Sequence, residues 1–160
     1  MSGPLFHIVL VRPEIPQNTG SIGRLAAATR SRLHLVGPLG FSLEDRYLKR
    51  AGLDYWPLVD CRVYQDWEGF ASTNAEQWPK FKYFSAHAIR THLQAEFQHD
   101  DFLVFGSETK GLGREFLERR SASAYRIPIF ERGVRSLNLA NAVSIIVYEG
   151  LRQTGLLSAA

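Results

Sequence analysis

Three loops hold the residue types that could do chemistry. The segment Pro13-Glu14-Ile15-Pro16-Gln17-Asn18-Thr19-Gly20 runs on to Gly23 and Arg24, so it combines a carboxylate, two amides, two hydroxyls and a guanidinium. The segment Gly106-Ser107-Glu108-Thr109-Lys110-Gly111-Leu112-Gly113 sets one carboxylate, Glu108, among three glycines. The segment from Ile127-Pro128 to Arg135-Ser136-Leu137-Asn138-Leu139-Ala140-Asn141 gathers Ser136, Asn138 and Asn141 at the head of a helical pattern. One helix cap would not require all three, and helix amino ends favour anionic ligands. A weaker fourth segment, Tyr83-Phe84-Ser85, closes an apolar run and reads equally well as core.

Two familiar phosphate sites are excluded. Gly106 and Gly111 have P-loop separation, but Leu112 and Gly113 stand where Lys and Ser or Thr must follow. No Gly-x-Gly-x-x-Gly follows the first apolar run, so the dinucleotide fingerprint is missing. The second loop is then a nest of amides around Glu108, unsuited to polyphosphate and able to accept from an amine or a ribose.

These loops need a scaffold. Short apolar runs predict strands at Phe6–Val11, Leu33–Val36, Leu58–Tyr64, Phe81–Ser85, Phe102–Phe105 and Tyr125–Ile129. Between them Asn18 reads as the cap of a helix carrying Ile22, Leu25, Ala26 and Ala28, with Gly20 and Gly23 open to a close backbone approach. Ser42 with Asp45 reads as the cap of a helix that presents Leu43, Tyr47 and Leu48 and ends at Ala51-Gly52. Asp66–Asn74 and Arg114–Arg119 predict short helices. Leu139, Ala140, Val143, Ile146, Val147, Gly150 and Leu151 mark the apolar face of a long last one, where Tyr148 reads as core. Alternating strands and helices predict a single α/β domain over 1–160, with a mostly parallel sheet flanked by helices and ligands at the carboxyl ends of its strands.

Composition narrows the class. The 160 residues are 45% hydrophobic, enough for a core. Val143–Tyr148, the richest apolar stretch, is far too short to span a bilayer, and no secretory pattern is visible, so a soluble cytoplasmic protein without membrane contact is expected. The lone Cys61 excludes an internal disulfide and argues against a structural metal; no metal is expected. The net charge is +3, and only Lys49, Lys80, Lys82 and Lys110 are lysines among 19 basic residues. An arginine-rich excess suits phosphate recognition or merely a solvated surface.

Taken together, the three loops and Arg50-Ala51-Gly52-Leu53-Asp54-Tyr55 resemble the SPOUT superfamily of RNA 2′-O-methyltransferases over nearly the whole chain, in the expected order. Within it the likeness is to the small bacterial group acting on the wobble nucleotide of tRNA, cytidine or modified uridine 34 of leucine isoacceptors. The resemblance implies a carboxy-terminal trefoil knot and S-adenosyl-L-methionine as cofactor. It implies a cofactor site at Phe84, Gly106, Ile127 and Ser136, with Ser85, Glu108, Gly111 and Leu137 nearby. It also implies a homodimer with the active site at the subunit interface, where Arg24 comes from the partner, and Ser136 and Asn138 orient the ribose. Phe130–Val134 is longer than the family pattern, which leaves Arg132 beside Arg135 as a second match to the arginine before Ser136. A guanidinium rarely gives up its proton, so Arg24 is expected to stabilise charge rather than act as a base. Basic residues at Arg30-Arg32, Lys49-Arg50 and Arg114–Arg120 are expected to meet the RNA. The competing readings are methylation of another tRNA or rRNA ribose, a non-catalytic RNA-binding module, and a phosphate-dependent enzyme.

Overall fold

A computed structural model describes residues 2–160. Seven strands form one sheet in the order β3-β2-β1-β6-β4-β7-β5, every pair parallel: β1 His7–Val11, β2 Arg32–Val36, β3 Cys61–Tyr64, β4 Phe81–Phe84, β5 Arg90–Thr91, β6 Phe102–Phe105 and β7 Ala124–Arg126. The helices are α1 Pro16–Ala28, α2 Arg46–Gly52, α3 Trp67–Thr73, α4 Arg114–Glu118 and α5 Leu139–Gln153.

Strand alternation sorts the core into two layers. Ile8, Leu10, Leu33, Leu35, Leu103 and Phe105 face Ile22 and Ala26 of α1 and Val143, Ile146 and Val147 of α5. Val9, Val11, Val36, Phe102 and Val104 point the other way, onto Phe70 of α3, with Phe116 and Leu117 of α4 at the margin. Because both faces are covered, β1 and β6 are buried at every position, as parallel strands under helices must be. The α5 face predicted from periodicity is the buried one; Gly150 lets Phe6 and Phe97 close on the helix, since a Cβ there would stand 2.8 Å and 3.0 Å from their rings.

Several local expectations need correction. α1 begins at Pro16, and Asn18 lies buried in its first turn rather than capping it. Proline at the first helical position places the start earlier, since its missing N–H costs nothing there. Asp45, not Ser42, meets the start of α2: its Oδ1 accepts from the Tyr47 N–H at 2.7 Å, while Ser42 closes a turn with Glu44. Residues Leu53–Leu58 form a 3₁₀ segment containing Pro57, so β3 starts only at Cys61. β7 ends at Arg126, leaving 127–138 as loop. Gly23 is met by the indole of Trp56, not by another backbone. Tyr148 is 46% exposed and outside the core.

A buried polar chain crosses the α3 face. His7 Nε2 lies 2.7 Å from Asp100 Oδ1, His7 Nδ1 2.8 Å from His34 Nε2, and His34 Nδ1 3.0 Å from the Tyr64 hydroxyl. With both rings neutral, one arrangement of protons satisfies all three bonds: Tyr64 donates to His34, His34 to His7, and His7 to Asp100. Burial disfavours a proton added to either ring. Burial first, then the neighbouring His7, depresses the His34 pKa to about 3; burial also lowers that of His7 against the pull of Asp100.

Candidate functional site

The sheet reverses its winding between β1 and β6, and the loops leaving these two strands meet at their carboxyl ends. They hold each other by exchanged carboxylates. Glu108 Oε1 accepts from the Glu14 N–H at 2.8 Å, and its Oε2 accepts from the Ile15 N–H at 2.8 Å and from Asn18 Nδ2 at 3.2 Å. In return Glu14 Oε1 accepts from the Thr109 N–H at 3.1 Å and from its hydroxyl at 2.7 Å, and these bonds hold the Glu14 carboxyl below its usual range. The physical need is plain. α1 has no side-chain cap of its own and no acidic residue in its first turn, so Glu108 supplies the negative charge its amino end favours. The network continues from Asn18, whose Oδ1 accepts from Asn138 Nδ2 at 3.1 Å, to Asn138, whose Oδ1 caps α5 through the Asn141 N–H at 3.1 Å. One chain of polar contacts thus ties α1, the glycine loop and the head of α5.

The glycine loop closes on itself through Ser107 and Gly111, which exchange backbone bonds of 3.2 Å and 3.0 Å. A Cβ at Gly106 would overlap the Gly111 carbonyl and the Leu112 amide, and Gly111 has φ +60°. Both positions therefore require glycine.

Beside this loop opens a cavity of about 1230 Å³ at the carboxyl ends of β4, β6 and β7. Phe84, Ser85, Gly106, Glu108, Gly111, Ile127, Ser136 and Leu137 all line it, although they come from four separate stretches of chain. Phe84 stacks on Phe105 with centroids 5.2 Å apart, which fixes one apolar wall. Lys110, Arg114 and Arg135 add cationic rim residues. Among the two arginines before Ser136, Arg135 lines the cavity and Arg132 does not.

The expected catalytic residues are not all there. Ser136 lines the cavity; Arg24 and Asn138 do not. Arg24 is exposed on α1, its guanidinium 5.2 Å above the Tyr55 ring. Asn138 spends both ends of its amide on Asn18 and Asn141. Glu108 borders the cavity while its carboxylate is held by the loop after β1. Sequence reasoning missed Glu14 and the pairing of Asn18 with Asn138. Pro16 and the uncapped Ile15 were the available hints, since a helix starting there needs a remote acceptor. Cys61 is unsuited to nucleophilic work: burial, then Asp60, pushes its thiol up to about 11.

Among the described residues no helix is long and apolar enough to cross a membrane, and no group of three or more His, Cys, Asp or Glu is placed to hold a metal.

Residues 5–148 match the SpoU rRNA Methylase family. A tRNA (cytidine(34)-2′-O)-methyltransferase of Burkholderia ambifaria is 43% identical over 152 residues, 94% of this chain and 97% of its own length. A protein of the same name from Burkholderia pseudomallei is 41% identical, with 94% of this chain and 97% of its own length covered. A solved structure concerned with 2-OH methylation of C/U34 on tRNA superposes with a TM-score of 0.83 at 42% identity, over 97% of each chain. The fold is also that of the SpoU methyltransferase AviRb from Streptomyces viridochromogenes, with a TM-score of 0.82 at 22% identity over 96% of this chain and 59% of the other.

Proposed function

The chain belongs to the SpoU rRNA methylase family, and from that premise we propose that it is a tRNA 2′-O-methyltransferase. It moves a methyl group from S-adenosyl-L-methionine to the ribose 2′-hydroxyl of nucleotide 34, cytidine or modified uridine, in leucine isoacceptors. One observation carries this reading: four separate stretches of chain converge on one cavity at the strand ends, in a protein 41–43% identical to cytidine(34) methyltransferases over most of its length.

The cavity fits the cofactor. The glycine loop, closed by the Ser107–Gly111 bonds, borders it with backbone amides and carbonyls, while Phe84, Ile127 and Leu137 give apolar walls. When bound, the cofactor supplies an electrophilic methyl group on a sulfonium. The chain must then align a weak ribose nucleophile and stabilise negative charge growing on its oxygen. Ser136 lines the cavity wall, and in this reading it hydrogen-bonds the sugar. Asn138 acts by position, since its amide joins α5 to Asn18.

Charge stabilisation falls to Arg24 of the partner subunit in a homodimer. Arg24 is exposed and absent from its own protomer's cavity, and the 3₁₀ segment Leu53–Leu58 and α5 leave Tyr55, Ile145 and Tyr148 open to solvent at 42%, 39% and 46%. Threading of the carboxy-terminal segment as a trefoil knot, and action in the cytoplasm where tRNA is matured, belong to the same proposal.

Nucleoside mass spectrometry tests the reaction. Position 34 of leucine tRNA from a strain lacking the gene should lose its 2′-O-methyl mass and regain it on complementation. Retention of the methyl group in the deletion strain overturns the assignment.

A further inference from the structure

A second hollow lies on the α3 face of the sheet, and it has a different chemistry. Its volume is about 330 Å³, at the low end of the ~300–1,000 Å³ common for small-ligand sites. Trp67, Trp78, Phe81 and Tyr83 give it aromatic walls, and Arg119 and Arg120 stand at its edge. The Arg120 guanidinium lies 3.7 Å from the Phe116 centroid, 5.6 Å from that of Trp67 and 5.7 Å from that of Tyr83, and donates to the Phe116 carbonyl at 3.0 Å. The cation is thus fixed among rings and cannot swing away. Trp78 is different. It sits in the turn Ala75–Lys80, held before Pro79, with 58% of its surface exposed. A large indole left open to water beside a fixed guanidinium is a stacking surface without its partner.

We propose that this hollow takes an unstacked nucleobase of the substrate RNA, from the single-stranded stretch flanking the methylated nucleotide. The proposal rests on the RNA-methyltransferase reading above and adds a binding subsite to it. Three observations favour RNA over a protein partner. Aromatic faces beside arginine are what single-stranded nucleic acid binds, since every base offers a π-face and every link a phosphate. The charge is complementary: Arg119 is tied only by an exposed pair to Glu115, 2.8 Å away, which water already screens and a phosphate can replace. The hollow is also continuous with the reaction site along α4. Arg114, Leu117 and Glu118 line the cavity, while Arg119 and Arg120 border the hollow. Arg114 and Glu118, the two ends of α4, are about 6 Å apart along the helix axis, and Arg119 and Arg120 follow directly, a gap that a short run of nucleotides spans.

The test uses the full protein with a tRNA anticodon stem–loop and a series of the same RNA with single abasic nucleotides. Trp78→Ala should raise the Kd for the intact RNA about tenfold. Its affinity for S-adenosylhomocysteine and its thermal midpoint should stay at wild-type values, because Trp78 is exposed and does not line the cavity. Trp78→Phe should restore most of the loss. One abasic RNA should bind wild type as weakly as the intact RNA binds Trp78→Ala, and the combination should lose nothing more. Wild-type affinity in Trp78→Ala, or additive losses at every abasic position, overturns the subsite and leaves the methyltransferase reading intact. Dissociation of a dimer on Trp78→Ala identifies a second copy of the chain as the occupant and overturns it as well. Failure of the wild-type protein to bind the RNA at all removes the broader reading and the subsite together.

Discussion

Replacing Glu108 by alanine distinguishes a loop clasp from a cofactor ligand. The carboxylate accepts from the amides of Glu14 and Ile15 and from Asn18 Nδ2. Removing it leaves the two amides just before α1, and the Asn18 side chain, without their acceptor. A hydrogen bond to a charged group contributes about 1.5–3 kcal/mol when water is excluded. The Ile15 bond is exposed, so water recovers part of it. The net loss should be about 2 kcal/mol, which for a chain of this size lowers the thermal midpoint by roughly 4–8 °C. Glu108→Gln keeps one acceptor oxygen and should lose about half of that.

The assay pairs thermal unfolding, at fixed protomer concentration because any dimer couples to stability, with calorimetric binding of S-adenosylhomocysteine. If the carboxylate clasps the loops, both variants lose midpoint, and cofactor affinity falls by less than tenfold, because the Ser107–Gly111 closure of the glycine loop does not involve it. Glu14→Gln should behave alike, since Glu14 makes the reciprocal contacts to Thr109. An unchanged midpoint with a collapse of cofactor affinity would refute this reasoning and make Glu108 a direct ligand.

Two further outcomes follow from the same geometry. Arg24→Lys keeps the charge but loses the planar fork, so turnover should fall about a hundredfold or more while S-adenosylhomocysteine affinity holds; calorimetry and steady-state kinetics showing equal loss of both would remove Arg24 from charge stabilisation. The buried histidines make stability fall in acid. His34 is neutral when folded and takes up a proton when unfolded, so its contribution is intact above the unfolded value of about 6.5 and is lost progressively as pH falls toward about 3. The slope is about 1.4 kcal/mol per pH unit, so urea midpoints should report roughly 2 kcal/mol lost between pH 6.5 and pH 5. The carboxylates with lowered pKa, Asp100 among them, titrate below that window. A flat profile there, or one that His34→Gln leaves unchanged, would contradict the neutral His7–His34 pair.

What the sequence revealed depended on whether the decisive contact was local. β6 and α3 stand where composition placed them, because Phe102–Phe105 is a short apolar run and Asp66 caps its own helix, accepting from the Gly69 N–H at 2.8 Å. α5 was legible because its period alone defines a buried face, and Asn138 at its head is a local cap. The cofactor-lining residues came from resemblance rather than pattern: nothing in spacing brings Ser85 near Leu137, which only adjacency of β4 and β7 in the sheet achieves. Where a rule failed, a distant partner or solvent had replaced the local one. Leu58 and Val63 looked like strand interior, yet they are 71% and 50% exposed, on a proline turn and on the last strand of the sheet. β5 is two residues long, too short to leave a pattern.

The start of α1 is the instructive failure, since the turn leading into it is held by Glu108, 94 residues from Glu14. A local cap would have let the loop after β1 fold independently of the glycine loop. Giving that task to Glu108, and the answering one to Glu14, makes each loop's conformation conditional on the other. Asn18 then passes the constraint to Asn138 and the head of α5, where Ser136 and Leu137 join the cavity wall. A site made largely of backbone needs such coupling, because a main-chain amide can be aimed only by fixing the turn that carries it.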